Sequence, residues 1–148
     1  MTFEFTETNW DLDYVANGDE NCTMPFMTVN IVGDYTLEEA SDVVEGARNG
    51  TFGFTTKTAT GHMEDALTVI NDACGVTDTV LDVPLDIAGG CAGLGAYSIT
   101  DCPADYDIVM LSEDGNTLSF GARPADNDMC TPDKRPTTFE NGAQVVKQ

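Results

Sequence analysis

Apolar and polar residues alternate with a period of two along most of the chain. In F-E-F-T-E-T-N-W-D-L-D-Y, Trp10, Leu12 and Tyr14 fall on one face and Asn9, Asp11 and Asp13 on the other. The rhythm continues through Met27, Val29 and Ile31 in M-T-V-N-I-V-G-D-Y-T-L, and through Phe52 and Phe54 in T-F-G-F-T-T-K-T. V-L-D-V-P-L-D-I offers Leu81, Val83, Leu85 and Ile87, with Pro84 demoting that strand to an edge or a bulge. Y-D-I-V-M-L and T-L-S-F-G flank S-E-D-G-N, whose Asp114-Gly115 pair suits a tight hairpin. A-Q-V-V-K supplies a last short strand.

One segment changes period. In G-H-M-E-D-A-L-T-V-I-N-D-A-C, Met63, Leu67 and Ile70 recur at spacings of four and three, with Ala66 filling the stripe. Thr60 is placed to cap this helix and Gly75 to end it. The elements predict an all-β fold with one α-helix, an antiparallel barrel of about seven or eight strands in a single domain over 1–148. A barrel of about that size closes around its own side chains or around one small ligand, and alternation does not choose between them.

Charge narrows the partners. Twenty-six Asp and Glu against six Lys and Arg give a formal charge of −20, spread along the chain without a block of like charges. Such a surface repels phosphate backbones, so nucleic acid is excluded as an expected partner, and a solvated surface suited to salty water is the simplest reading. No apolar run is long enough to span a bilayer. No basic segment followed by an apolar one marks a signal peptide. Five cysteines without a C-x-x-C pair, and a single histidine, point to disulfides rather than zinc. Disulfides in turn point to an oxidising compartment, extracellular or periplasmic.

Catalytic signatures are lacking. There is no G-x-S-x-G, H-E-x-x-H or phosphate-cradling glycine loop, and His62 stands alone at the predicted helix start. The chain is therefore expected not to be an enzyme and to need no cofactor. Asp101, Asp105 and Asp107, or Asp126 and Asp128, could hold calcium, but without the ordered spacing of an EF-hand.

A set of short motifs appears in order: C-T-M-P at Cys22 to Pro25, V-x-G-x-Y ending at Tyr35, V-x-G-A at Val44 to Ala47, and F-x-F at Phe52 and Phe54. Then come I-N at Ile70 and Asn71, C-G at Cys74 and Gly75, D-I at Asp86 and Ile87, and G-C-A-G-L-G at 90–95. Y-D-I at Tyr106, L-S-F-G-A-R-P at 118–124 and K-R at Lys134 and Arg135 complete it. The ordered set, over roughly residues 10–138, resembles the domain of the adenomatosis polyposis coli down-regulated family of Wnt inhibitors, most nearly its second domain. The resemblance implies a lipocalin-like barrel with an apolar pocket for a lipid or fatty-acyl ligand. The animal proteins carry two such domains and a membrane anchor, so a pocket formed between paired barrels would need a homodimer here. Against the family pattern, Cys74 and Cys91 are expected to pair. Cys102 and Cys130, which lack family counterparts, are expected to bond to each other, leaving Cys22 free.

The implied tail would lie among Trp10, Leu12, Phe52, Phe54, Leu81, Val83, Leu85, Ile108, Met110, Leu118 and Phe120. The bland reading of each is packed core. Three of the six cations, Arg123, Lys134 and Arg135, gather in F-G-A-R-P-A-D-N-D-M-C-T-P-D-K-R-P. Arg123 is expected over the face of Trp10, locking first strand to last, and Lys134 and Arg135 among Asp126, Asp128 and Asp133. Arg123 and Arg135 could alternatively receive a carboxylate or phosphate head group. The function expected is non-enzymatic binding of a lipid or other apolar or amphipathic small molecule in a barrel pocket. The rival is an extracellular protein- or glycan-interaction module with a filled barrel.

Overall fold

The computed structural model describes residues 1–147. The fold class is the expected one: mostly β, with antiparallel strands of the barrel type and one α-helix. In chain order the elements are β1 (Thr2–Phe5), β2 (Asn9–Asn17), β3 (Pro25–Ala40), β4 (Arg48–Gly53), β5 (Thr56–Gly61), α1 (Glu64–Cys74), β6 (Leu85–Asp86), β7 (Ala104–Leu111), β8 (Thr117–Phe120) and β9 (Gln144–Val146). The chain forms two compact units, residues 1–33 with 54–101, and residues 34–53 with 102–147.

In the first unit β1 and β2 form a hairpin, with Phe5 opposite Trp10 and Phe3 opposite Leu12. The early part of β3 pairs with β5, Met27 opposite Gly61 and Thr28 opposite Thr60, and β5 pairs with β6. The core is Ala59, Ile70, Ile87 and Cys91, with Met27, Val29 and Leu85 packed against it. Ala66 and Ile70 are the buried residues of α1, as the helical stripe predicts. Gly75, at φ 68°, ends α1 in the left-handed region that glycine occupies without strain. The Cys74–Cys91 disulfide ties the helix end to the G-C-A-G-L-G segment. Gly93 there approaches α1 so closely that a Cβ would lie 2.6 Å from the Ala73 Cα.

In the second unit the end of β3 pairs with β4, β4 with β7, β7 with β8 and β8 with β9. Phe52 stacks on Tyr35 at 6.2 Å and meets Phe120 at 5.7 Å between ring centroids. Ala47, Ile108 and Met129 are fully buried. The Cys102–Cys130 disulfide closes this unit, and Cys22, in the first, is the free, exposed cysteine. Two disulfides fit an oxidising compartment. No helix among the described residues is long and apolar enough to cross a membrane.

Three local expectations are corrected. T-F-G-F-T-T-K-T is not one strand: β4 and β5 are separate and pair with different parts of β3. Thr60 does not cap α1. It lies in β5 opposite Thr28, and the His62 N–H still donates to the Phe26 carbonyl at 2.9 Å, so the ladder runs past it and Met63 becomes the N-cap. V-L-D-V-P-L-D-I supplies only the two residues of β6. Val83 N–H closes a turn onto the Val80 carbonyl at 3.1 Å, Asp82 adopts φ 58°, and Pro84 has no N–H to offer a ladder.

Candidate functional site

The expected ligand-contacting residues divide between the two units. Trp10, Leu12, Phe54, Leu81, Val83 and Leu85 belong to the first, the others to the second. In the first, Trp10 is buried and lies 6.1 Å from both Phe3 and Phe54, centroid to centroid. Lys57 Nζ sits 3.6 Å over the Phe54 ring and donates to the Tyr97 carbonyl at 3.2 Å. That side chain is buried, its stem among apolar groups and its ammonium on an aromatic face and a carbonyl. Leu81 and Val83 are 38% and 52% exposed on the turn before Pro84, so they do not face inward from a strand.

In the second unit the expected residues do not share one face. Directly opposed residues of antiparallel strands point the same way, and Phe120 opposes Val109 while Leu118 opposes Leu111. Phe52 opposes Asp105. These three therefore lie on the side of Asp105, Asp107 and Val109, and Ile108 and Met110 lie on the other. The run Ile108-Val109-Met110-Leu111 is apolar on both faces, and its alternation carries no unique register.

The cation cluster is committed to the protein's own acceptors. Arg123 pairs with Asp105 and donates to Asn127 Oδ1 at 2.6 Å. Lys134 pairs with Asp128, as the local acidic turn predicts. Arg135 reaches furthest. Its Nη1 donates to the carbonyls of Gly50 at 2.6 Å and Asp107 at 2.8 Å, and its Nη2 to Glu38 Oε2 at 2.7 Å. The guanidinium carbon also lies 5.3 Å from the Tyr106 ring centroid. The bond from Thr51 and the Arg135 charge hold the Glu38 carboxyl below its ordinary range, the hydroxyl contributing most. Asp107 behaves oppositely. Burial pushes its carboxyl up to about 6, although the N–H groups of Ile108 and Gly121 donate to it at 2.7 and 3.0 Å and the Arg123 charge pulls the other way. With Asp105 and Asp107 so engaged, no group of three or more potential metal ligands assembles among the described residues.

Strand pairing completes two features that the sequence shows only in part. The hairpin of β1 and β2 carries Phe3, Phe5, Trp10, Leu12 and Tyr14 on one face, and only Trp10 is buried. Phe3 and Phe5 stack at 5.9 Å, Phe5 is 37% exposed and Tyr14 49% exposed. His62 does not stand alone. Its Nε2 lies 2.9 Å from Thr28 Oγ1 and its Nδ1 2.8 Å from Asp82 Oδ1. No family model matches the chain, and no curated protein matches it.

Proposed function

We propose that the chain is an extracellular or periplasmic protein whose hairpin face binds a lipid, fatty-acyl or other amphipathic small molecule, without chemistry at that face. The observation that carries this reading is the partly covered apolar face of β1 and β2. Phe5 opposes the buried Trp10, Phe3 and Leu12 follow it along the same face and Tyr14 lies further on, and all four keep apolar surface open. The resemblance to the Wnt-inhibitor family domain adds the acyl class of ligand. The acidic surface favours a neutral or zwitterionic head over an anionic one. Arg135 is left out of the ligand set, since its guanidinium is bound to Glu38, Gly50 and Asp107.

Lying against an open face, a tail of sixteen carbons has roughly half its surface covered. At about 0.8 kcal/mol per buried methylene, this gives about 6 kcal/mol and a Kd in the range of tens of micromolar. Trp10 is the only tryptophan, so energy transfer from it to a neutral polyene fatty-alcohol probe reports the site directly. Saturable transfer is expected, weakened several-fold by Phe5→Ser and Tyr14→Ser, whose side chains are exposed enough to change without loss of fold. A probe that does not saturate, or that binds both variants equally, would sink the assignment. It would also favour the module that recognises a protein or glycan.

A further inference from the structure

We propose that Thr28, His62 and Asp82 form a nucleophilic site at which an activated acyl group is transferred to Thr28 Oγ1. This goes beyond the binding reading and does not rest on it. The three residues come from β3, from the junction of β5 with α1, and from the turn before Pro84. Each is fixed by backbone bonds. Thr28 opposes Thr60 in the ladder, His62 N–H donates to the Phe26 carbonyl at 2.9 Å, and Asp82 N–H donates to the Gly61 carbonyl at 2.9 Å. Asp82 is one of the few non-glycine residues at positive φ, a conformation that aspartate tolerates and that recurs at functional sites.

The hydrogen-bond chain has a direction. An ionised carboxylate only accepts, so the neutral imidazole carries its proton on Nδ1, facing Asp82. Nε2 is then the acceptor, and the Thr28 hydroxyl must donate to it. That is the polarity general-base activation of a hydroxyl needs: nucleophile to base, base to an orienting carboxylate. Asp82 acts here as a positioning residue. The site is reachable from solvent, because Thr28 is only partly buried and the side chains of His62 and Asp82 are 28% and 67% exposed. Val80, Leu81 and Val83, which flank Asp82 in the chain, are exposed and offer an aliphatic rim.

The step balances without a further reactant. Thr28 Oγ1 attacks the acyl carbonyl carbon as its proton passes to His62 Nε2. The bond to the leaving alkoxide or phenoxide then breaks, and the leaving group takes that proton. What remains is an ester on Thr28. Water attacking that ester by the same route releases the carboxylic acid and restores the hydroxyl. With a nucleophile and a base as the groups assembled, the substrates are activated esters, whose leaving groups need least assistance.

The test uses 4-nitrophenyl acetate on the full chain carrying Cys22→Ser, which removes the exposed thiol as a competing nucleophile. Release of 4-nitrophenol is followed together with the intact mass, and any acetyl group is mapped by peptide sequencing. Expected are acetylation of Thr28 or turnover above the solvent rate, retained in Thr28→Ser and abolished in the isosteric Thr28→Val. His62→Gln should slow the step by about 10²-fold or more, with circular dichroism unchanged. The pH–rate profile should lose one ionisation in His62→Gln and keep it in Asp82→Glu, an outcome that a merely structural bridge would not produce. Absence of both an adduct and release above background would overturn the proposal. Acetylation confined to lysines or the amino terminus, or a rate unchanged in His62→Gln, would do so equally. Should Thr28→Val fail to fold, Thr28→Ser and His62→Gln still decide.

Discussion

Asp107→Asn isolates the cost of a buried carboxylate. Asp107 is 4% exposed, on the same face of β7 as Phe52 and Phe120, and its carboxyl is raised from the ordinary 3.8 to about 6, chiefly by burial. A carboxyl raised in the fold favours the protonated state. Its contribution is fully present below pH 3.8 and is lost as pH rises through about 6. At about 1.36 kcal/mol per pKa unit, the rise amounts to about 3 kcal/mol of destabilisation at pH 7 relative to acid. Asparagine keeps an oxygen for the N–H groups of Ile108 and Gly121 and does not titrate. Urea unfolding of both proteins between pH 3.5 and 7.5 should therefore show the variant gaining on the native chain by about 3 kcal/mol across that window. Carboxyls that the fold holds low, Glu38 and Asp128 among them, lose stability on acidification in both proteins, and cancel in the difference. A difference that stays flat with pH would refute the assignment of the raised carboxyl to Asp107.

Two further outcomes follow from the bonding described. Arg135→Lys should cost about 2–4 kcal/mol by urea unfolding, because lysine cannot keep the fork on Gly50, Asp107 and Glu38, whereas Arg123→Ala, half-exposed, should cost about 1 kcal/mol or less. Equal losses would contradict the distinction. Replacing Cys74 with Cys91, or Cys102 with Cys130, by alanine pairs should cost about 3 and about 3.5 kcal/mol, from the entropy of loops spanning 17 and 28 residues, and native thiol titration should find only Cys22 reactive. Two or more reactive thiols would overturn the pairing.

What the sequence disclosed was local. The Ser112–Asn116 turn, the Ala66–Ile70 stripe and Gly75 follow from neighbours a few residues apart, and each formed as its pattern predicts. Val80 to Pro84 misled because alternating apolar residues resemble a strand even where a proline and a left-handed aspartate prevent one. Ile108 and Met110 were grouped with Phe52, Leu118 and Phe120, which lie on the opposite face of the ladder, because an apolar run hides its register. The His62 partners lie 34 and 20 residues away, and the Arg135 partners lie 28, 85 and 97 residues away, so no spacing rule announces them. Pairing of strands brought them together, and only the ladder reveals it.

The two units are interleaved along the chain, and this sets an order of synthesis. Residues 34–53 leave the ribosome before 54–101, yet they belong with residues 102–147. The first unit has every residue it needs once Asp101 has emerged, including both halves of the Cys74–Cys91 cystine. The second must hold β4 paired on one side only, with the end of β3, until β7 is made, and its cystine waits for Cys130. A nascent chain paused near residue 101 would thus be half folded and half waiting, with Phe52 stacked on Tyr35 but lacking Phe120. That interval is when a chaperone or an oxidase would find it most open to help.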